Sequence, residues 1–295
     1  QMNTELVDIN HMRKEKSLLK FSKMQGTSDD YIFFNNTENV ITCPESFAIE
    51  FTDRHRSIGG DGIVLIERSE KADAKMRIFN RDGSEGEMAG NSIRCVGKYL
   101  YDNGIVQKEN ITVETASGIR SLELFTRNGK VSSVTVDMGK AYLKPGEIPA
   151  LLDGENIIAR NAEIGGKEYS MTCVSVGNPH CVIFVDNVDK VDIEKTGPQI
   201  ENAEIFPERI NTEFVRVVNR RTLKMRVWER GNGETLACGT GACAAAVAAV
   251  LEGKCDKGKD ITVKLRGGDL IVNYTDEKIT LTGDCNLVFT GEIEY

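Results

Sequence analysis

The chain has 295 residues, of which 40% are hydrophobic and 28% charged, with a formal net charge of -8 and an isoelectric point near 5.2. That length suits two domains with real cores, and the acidic balance offers no basic field to a nucleic-acid backbone. The longest apolar run, Ala242 to Leu251, falls far short of the roughly 20 residues that span a bilayer, which argues against a membrane partner.

Residues 1–20 scatter their charges and lack the apolar core of a secretory signal, so they read as an N-terminal extension of a cytoplasmic protein. GIVLIE (residues 62–67) and MRIFN (76–80) are strand-like, being rich in β-branched and aromatic residues. A polar glycine loop follows, then SIRCVGKYLYD (92–102) with helical character, and VTVDM (134–138) as a further strand. Pro and Gly cluster in KPGEIP (144–149), which marks a boundary. Beyond it, HCVIFVD (180–186), TEFVRVV (212–218) and MRVWE (225–229) are strands. GACAAAVAAVLEG (241–253) is a helix so rich in alanine that it should be buried on all sides, and DLIVNY (269–274) and KITLTG (278–283) return to strand.

The two halves repeat. An offset of 149 aligns Asn80 with Glu229, Glu85 with Glu234, Ala89 with Cys238 and Gly90 with Gly239, and an "ITV" strand follows each helix. The expected fold is α+β, with two pseudo-twofold-related domains, each a curved and mostly antiparallel sheet wrapped around a central helix. The expected division is 21–145 and 146–286, with strand 287–295 returning to complete the first domain.

A helix start presents unpaired N–H groups and positive dipole density, so Gly90-Asn91 and Gly239-Thr240 are natural seats for an anion. Two such starts facing one another would cradle a single carboxylate. The same dipole should favour a thiolate at Cys238, making it a base or nucleophile, although a small buried residue in an Ala/Gly surface reads equally well. The eight cysteines form no CxxC pair and have no histidine at ligand spacing, so no metal site is expected, and free thiols in a reducing cytosol are the natural reading. Cys95 lies about 9 Å along the helix from Ala89 and off its face, which makes it a core residue. His180 either stiffens its loop or tunes Cys238, and the loop carrying His55 should help shape the cleft.

NRDGSEGEMAGNSIRCVGKYLYD, GNPHCV, NTEFV and WERGNGETLACGTGACAAAV together resemble the diaminopimelate epimerase family, over about Phe21 to Tyr295. The resemblance implies a cofactor-independent isomerase, needing no pyridoxal phosphate, that interconverts LL- and meso-diaminopimelate in lysine and cell-wall precursor biosynthesis. In that family one cysteine removes the substrate α-proton and another returns one to the opposite face. Cys238 matches one of the pair, and Ala89 stands where the other belongs. The resemblance also implies that backbone amides of Gly90, Asn91, Gly239 and Thr240 hold the reacting carboxylate. Asn80, Asn178, Asn211, Glu229 and Arg230 would hold the distal amino acid group. Glu229 and Arg230 are adjacent and converge only if their strand has ended.

Three further positions depart from the family pattern: Ser28 replaces Gly, Asp29 replaces a substrate-contacting Asn, and Ser92 replaces Gly. Alanine carries no exchangeable proton, so the two-cysteine mechanism cannot run unaltered. Three readings stay open. Ala89 is a change introduced to block turnover, which leaves the other three substitutions unexplained. Alternatively Ser92, Asp29 or a water supplies the second proton. In the third, Cys238 works alone, on this or another amino acid, or the cleft only binds. The partner is in each case a small amino acid, with homodimerisation left open.

Overall fold

The computed structural model describes residues 17–87 and 90–295. Its first half runs β1 (Leu18–Gly26), β2 (Asp29–Asn35), α1 (Pro44–Phe51), β3 (Gly62–Glu67), β4 (Ala74–Asn80), β5 (Glu85–Gly86), α2 (Gly90–Asp102), β6 (Asn110–Thr115), β7 (Gly118–Arg127) and β8 (Lys130–Asp137). After a 3-10 turn at Pro145–Glu147, the second half runs β9 (Ile157–Ile164), β10 (Lys167–Ser175), β11 (Pro179–Phe184), α3 (Ile193–Glu201), β12 (Asn211–Asn219), β13 (Thr222–Glu229), β14 (Gly233–Thr235), α4 (Gly239–Leu251), β15 (Asp260–Leu265), β16 (Gly268–Tyr274) and β17 (Ile279–Asp284). β18 (Asn286–Glu294) ends the chain. β1 thus begins inside the stretch expected to be an extension.

Strand pairing exposes the duplication. β1–β2 is antiparallel, β2–β3 parallel, β3–β4 antiparallel and β4–β6 parallel. The second half repeats this order with β10–β11, β11–β12, β12–β13 and β13–β15. α1 and α3 fill equivalent crossovers, and the short strands β5 and β14 fold back on β4 and β13 just before each long helix. The halves join where β8 pairs with β17, while β18 returns to pair with β1.

The two central helices reflect their sequences. In α4 every residue from Ala242 to Ala249 is fully buried, and the helix packs against strands from β10 round to β17. Alanine suits that position because it favours helix and lets sheet approach closely from every side. α2 buries Ile93, Cys95, Val96 and Leu100 but keeps one polar edge, where Lys98 and Asp102 pair at 2.8 Å. Among the described residues no helix is long and apolar enough to cross a membrane.

Candidate active site

The duplication brings the N-termini of α2 and α4 together. A Cβ added at Gly239 would lie 3.6 Å from the Gly90 Cα, and one at Gly90 would lie 3.8 Å from the Gly239 Cα. A methyl group at Gly239 would also press on Leu281 at 3.1 Å, and Gly90, Asn91, Gly239 and Thr240 of the two first turns line one cleft of about 830 Å³. The cleft wall is predominantly acidic: Asp29, Asp61, Asp82 and Glu229 face Arg54 and Arg81.

Cys238 is the N-cap of α4. Its extended backbone puts Sγ 3.3 Å from the Gly241 N–H, the place a serine or threonine oxygen usually takes, and 3.5 Å from Thr240 Oγ1. The helix dipole that favours a thiolate here is opposed by burial. Burial pushes the thiol well above its ordinary value, with the neighbouring Glu229 carboxylate adding to the push, and the contacts from Thr240 and Gly241 only partly offset it. Glu229 is itself raised by burial, and it accepts a hydrogen bond from the Thr235 hydroxyl. Burial therefore favours the protonated thiol, and Cys238 must first lose its proton before it can abstract one from a substrate.

Across the cleft Asp29 accepts from Asn91 Nδ2 at 2.5 Å, and burial raises its carboxyl from 3.8 to about 7. Asn91 is aimed by Arg94, a fully buried guanidinium that also donates to Thr27 Oγ1 at 2.6 Å and to the Asp284 carbonyl at 3.0 Å. Thr27 and Ser28, the two-residue turn between β1 and β2, have φ of 50° and 72°. That backbone is one for which glycine or asparagine is the unstrained choice, so serine at residue 28 carries a conformational cost. Beside Asp29, Asp30 is held down by Arg54 and Lys23 against the opposing effect of burial, and Arg54 also reaches Asp61 at 3.2 Å.

Nine of the expected site residues line this cleft: Asp29, Asn80, Gly90, Asn91, Asn178 and Glu229, together with Cys238, Gly239 and Thr240. Three do not. Ser92 is fully buried beneath the α2 start. Asn211 accepts from the Arg230 backbone N–H, while the Arg230 guanidinium turns away to the Glu208 carbonyl at 2.9 Å. β13 does end at Glu229, yet Glu229 and Arg230 do not converge. Ala89 lies outside the described residues. Cys95 is a core residue, as expected, and His180 is completely buried, bonded to Glu213 and Asn178. Arg54, Asp61, Arg81 and Thr235 line the cleft unforeseen. The glycine-rich loop around His55 was the available signal for the first two, although His55 itself does not line the wall.

Comparison with known proteins gives the geometry its context. A family model described as diaminopimelate epimerase matches residues 21–144 and 172–288. The chain belongs to the diaminopimelate epimerase family. Its similarity to the diaminopimelate epimerase of Acetivibrio thermocellus is 52% identity over 278 residues, covering 94% of this chain and 99% of the relative. The diaminopimelate epimerase of Methanococcus maripaludis strain S2 is 50% identical over 280 residues, covering 94% and 100%. Among solved structures, a hydroxyproline epimerase from Agrobacterium vitis with bound trans-4-hydroxy-L-proline superposes with a TM-score of 0.67 at 13% identity, covering 94% and 92%. A PhzF-family phenazine biosynthesis protein from Bacillus anthracis gives 0.66 at 14% identity, covering 94% and 99%. The epimerase family fold thus extends well past recognisable sequence.

Proposed function

We propose that the chain acts on diaminopimelate by moving the α-proton without a cofactor, and that Cys238 is the proton carrier on one face of the substrate. The observation that carries this reading is the meeting of the two helix starts at Gly90 and Gly239 with Cys238 capping one of them. Backbone N–H groups of Gly90, Asn91, Gly239 and Thr240 would hold the reacting carboxylate, and their positive dipole ends stabilise the charge that develops there as the α-carbon loses its proton. The acidic remainder of the wall, with Asp29 and Glu229, suits a substrate with an ammonium at each end. Asn80 and Asn178 can orient the distal group, while Asn211 and Arg230 support the wall from behind through the Asn211–Arg230 backbone bond.

Inversion needs a proton carrier on each face. Ala89 precedes Gly90 as Cys238 precedes Gly239, and its methyl group cannot carry a proton. Cys238, once ionised, takes the α-proton on one face and, after exchange with solvent, returns one to the same face; the opposite face depends on water, so inversion is slow relative to proton exchange. The buried Ser92 is set aside as the second acid. Incubating the chain with LL-diaminopimelate in D2O should deposit α-deuterium, and Cys238→Ala should stop it. Equal deuteration by both proteins would refute the role of Cys238.

We further infer the two domains to be residues 21–145 and 146–286, the last strand completing the first, and a homodimer that uses β18. Among the described residues that strand pairs only with β1, and it exposes Leu287, Val288 and Phe289 in succession, an edge that partners commonly cover. The free cysteines fit a reducing compartment such as the cytoplasm. Phe289→Lys should shift the chain to monomer in light scattering, and an unchanged mass would exclude this edge.

A further inference from the structure

Behind Cys238 runs a hydrogen-bonded chain that ends at a carboxyl sealed in the core. Glu213 Oε1 lies 2.6 Å from His180 Nδ1, and His180 Nε2 lies 2.9 Å from Asn178 Oδ1. Asn178 Nδ2 donates to Thr240 Oγ1 at 3.2 Å, and Thr240 Oγ1 lies 3.5 Å from Cys238 Sγ. Glu213 and His180 are wholly buried, and Glu213 Oε2 has no hydrogen-bond partner among the described residues.

The orphaned oxygen identifies where the proton sits. A buried carboxylate with one oxygen unsatisfied is costly, whereas the carbonyl oxygen of a neutral carboxyl tolerates the same site far better. Burial likewise raises the Glu213 carboxyl. With the acid O–H donating to Nδ1, the neutral imidazole must carry its own hydrogen on Nε2, which fits the Asn178 carbonyl oxygen it faces. That fixes the amide of Asn178 with its NH2 toward Thr240. Because Thr240 Oγ1 then accepts, its own hydrogen is free to point at Cys238 Sγ.

We propose that Glu213, as a protonated and neutral side chain, is a positioning residue that acts through His180 and Asn178 to aim the Thr240 hydroxyl at Cys238. The hydroxyl stabilises the thiolate that forms when Cys238 has given up its proton, offsetting the burial and the Glu229 charge that oppose it. Gly241 makes the arrangement compact: a Cβ there would meet Glu213 Oε1 at 2.8 Å and Cys238 Sγ at 3.2 Å. The inference rests on Cys238 as proton carrier, but its test does not require turnover.

The groups facing Cys238 are Glu229 from β13, Glu213 from β12, His180 from β11 by way of Asn178, and Thr240 from α4. The experiment is iodoacetamide labelling of the Cys238 peptide against pH, read by mass spectrometry, on the full chain and its variants. Glu213→Gln reproduces the neutral acid, with NH2 donating to Nδ1 and C=O at the orphan position, so its labelling midpoint should match the unaltered chain. Glu213→Leu removes the donor and frees the imidazole, and the midpoint should rise by about one pH unit, roughly tenfold slower labelling below it. In a Thr240→Val background, Glu213→Leu should add nothing further. A fall in the midpoint with both Gln and Leu would mean that Glu213 is an ionised neighbour acting by charge alone, and would overturn the proposal. So would an undiminished Leu effect in the Val background. Long-range 1H–15N spectra give an independent reading that a loosened fold would not mimic: the account requires a hydrogen on His180 Nε2, and a bare Nε2 with Nδ1–H refutes it. Loss of deuterium exchange on Cys238→Ala separately tests the proposed function.

Discussion

Replacing Asp29 by asparagine should change how stability depends on pH in a calculable way. The Asp29 carboxyl is raised from 3.8 to about 7, by burial first and by Asp61 and Glu229 next, against the lowering effect of the Asn91 hydrogen bond. Below pH 3.8 folded and unfolded chains both hold the proton, so the group is neutral in its effect. Between 3.8 and about 7 the unfolded chain releases the proton while the fold retains it, so stability falls as pH rises through that window. The loss attributable to Asp29 is about 2 kcal/mol at pH 5 and about 4 kcal/mol at pH 8. Asparagine does not titrate. Urea denaturation of both proteins at the two pH values should therefore find Asp29→Asn gaining about 2–3 kcal/mol on the original chain between pH 5 and pH 8. Parallel pH profiles for the two proteins would refute the claim that the cleft wall holds a carboxyl protonated near neutrality.

The turn beside it offers a second perturbation: Ser28→Gly relieves a φ of 72° and should raise stability by about 1 kcal/mol in the same denaturation assay. Gly241→Ala drives a methyl group against Glu213 and Cys238, which should cost about 1–3 kcal/mol and suppress α-deuterium exchange. The thiol of Cys238 is raised, so at pH 7 it should react with iodoacetamide far more slowly than the exposed Cys43, and peptide mapping after brief labelling reads both. Ala245→Leu, inside a helix packed on all sides, should lower the melting temperature by a margin equivalent to about 1–3 kcal/mol, whereas Ile271→Leu on the surface should not.

Much of the fold was legible because the duplicated segments carry the same strand, glycine loop and helix at one offset. Alanine content alone foretold that α4 is enclosed by sheet. α3 escaped notice because Pro198 interrupts it and its buried residues are few, while α1 is a short helix announced only by Pro44. The cleft glycines and Cys238 were legible from the helix starts. The protonation state of Cys238 was not, since a dipole argument sees the helix but not the burial and the carboxylate of Glu229 that outweigh it. Arg230 misled for a related reason: adjacency to Glu229 says nothing of the turn that sends its guanidinium to Glu208. Glu213 and His180 lie 33 positions apart in the chain, and only the parallel pairing of β11 with β12, which sets His180 beside Asn211, brings them together.

Cys238 is proposed to work one face of the substrate, with only water on the other because residue 89 is alanine. The measurement is α-deuterium incorporation and stereochemical inversion of LL-diaminopimelate in D2O, comparing the chain with its Ala89→Cys variant. Ala89→Cys should raise inversion at least about a hundredfold, in line with the gain from one positioned acid–base group, and adding Cys238→Ala should abolish it. Inversion at equal rates with and without the cysteine at residue 89 would show that the second face does not depend on that position.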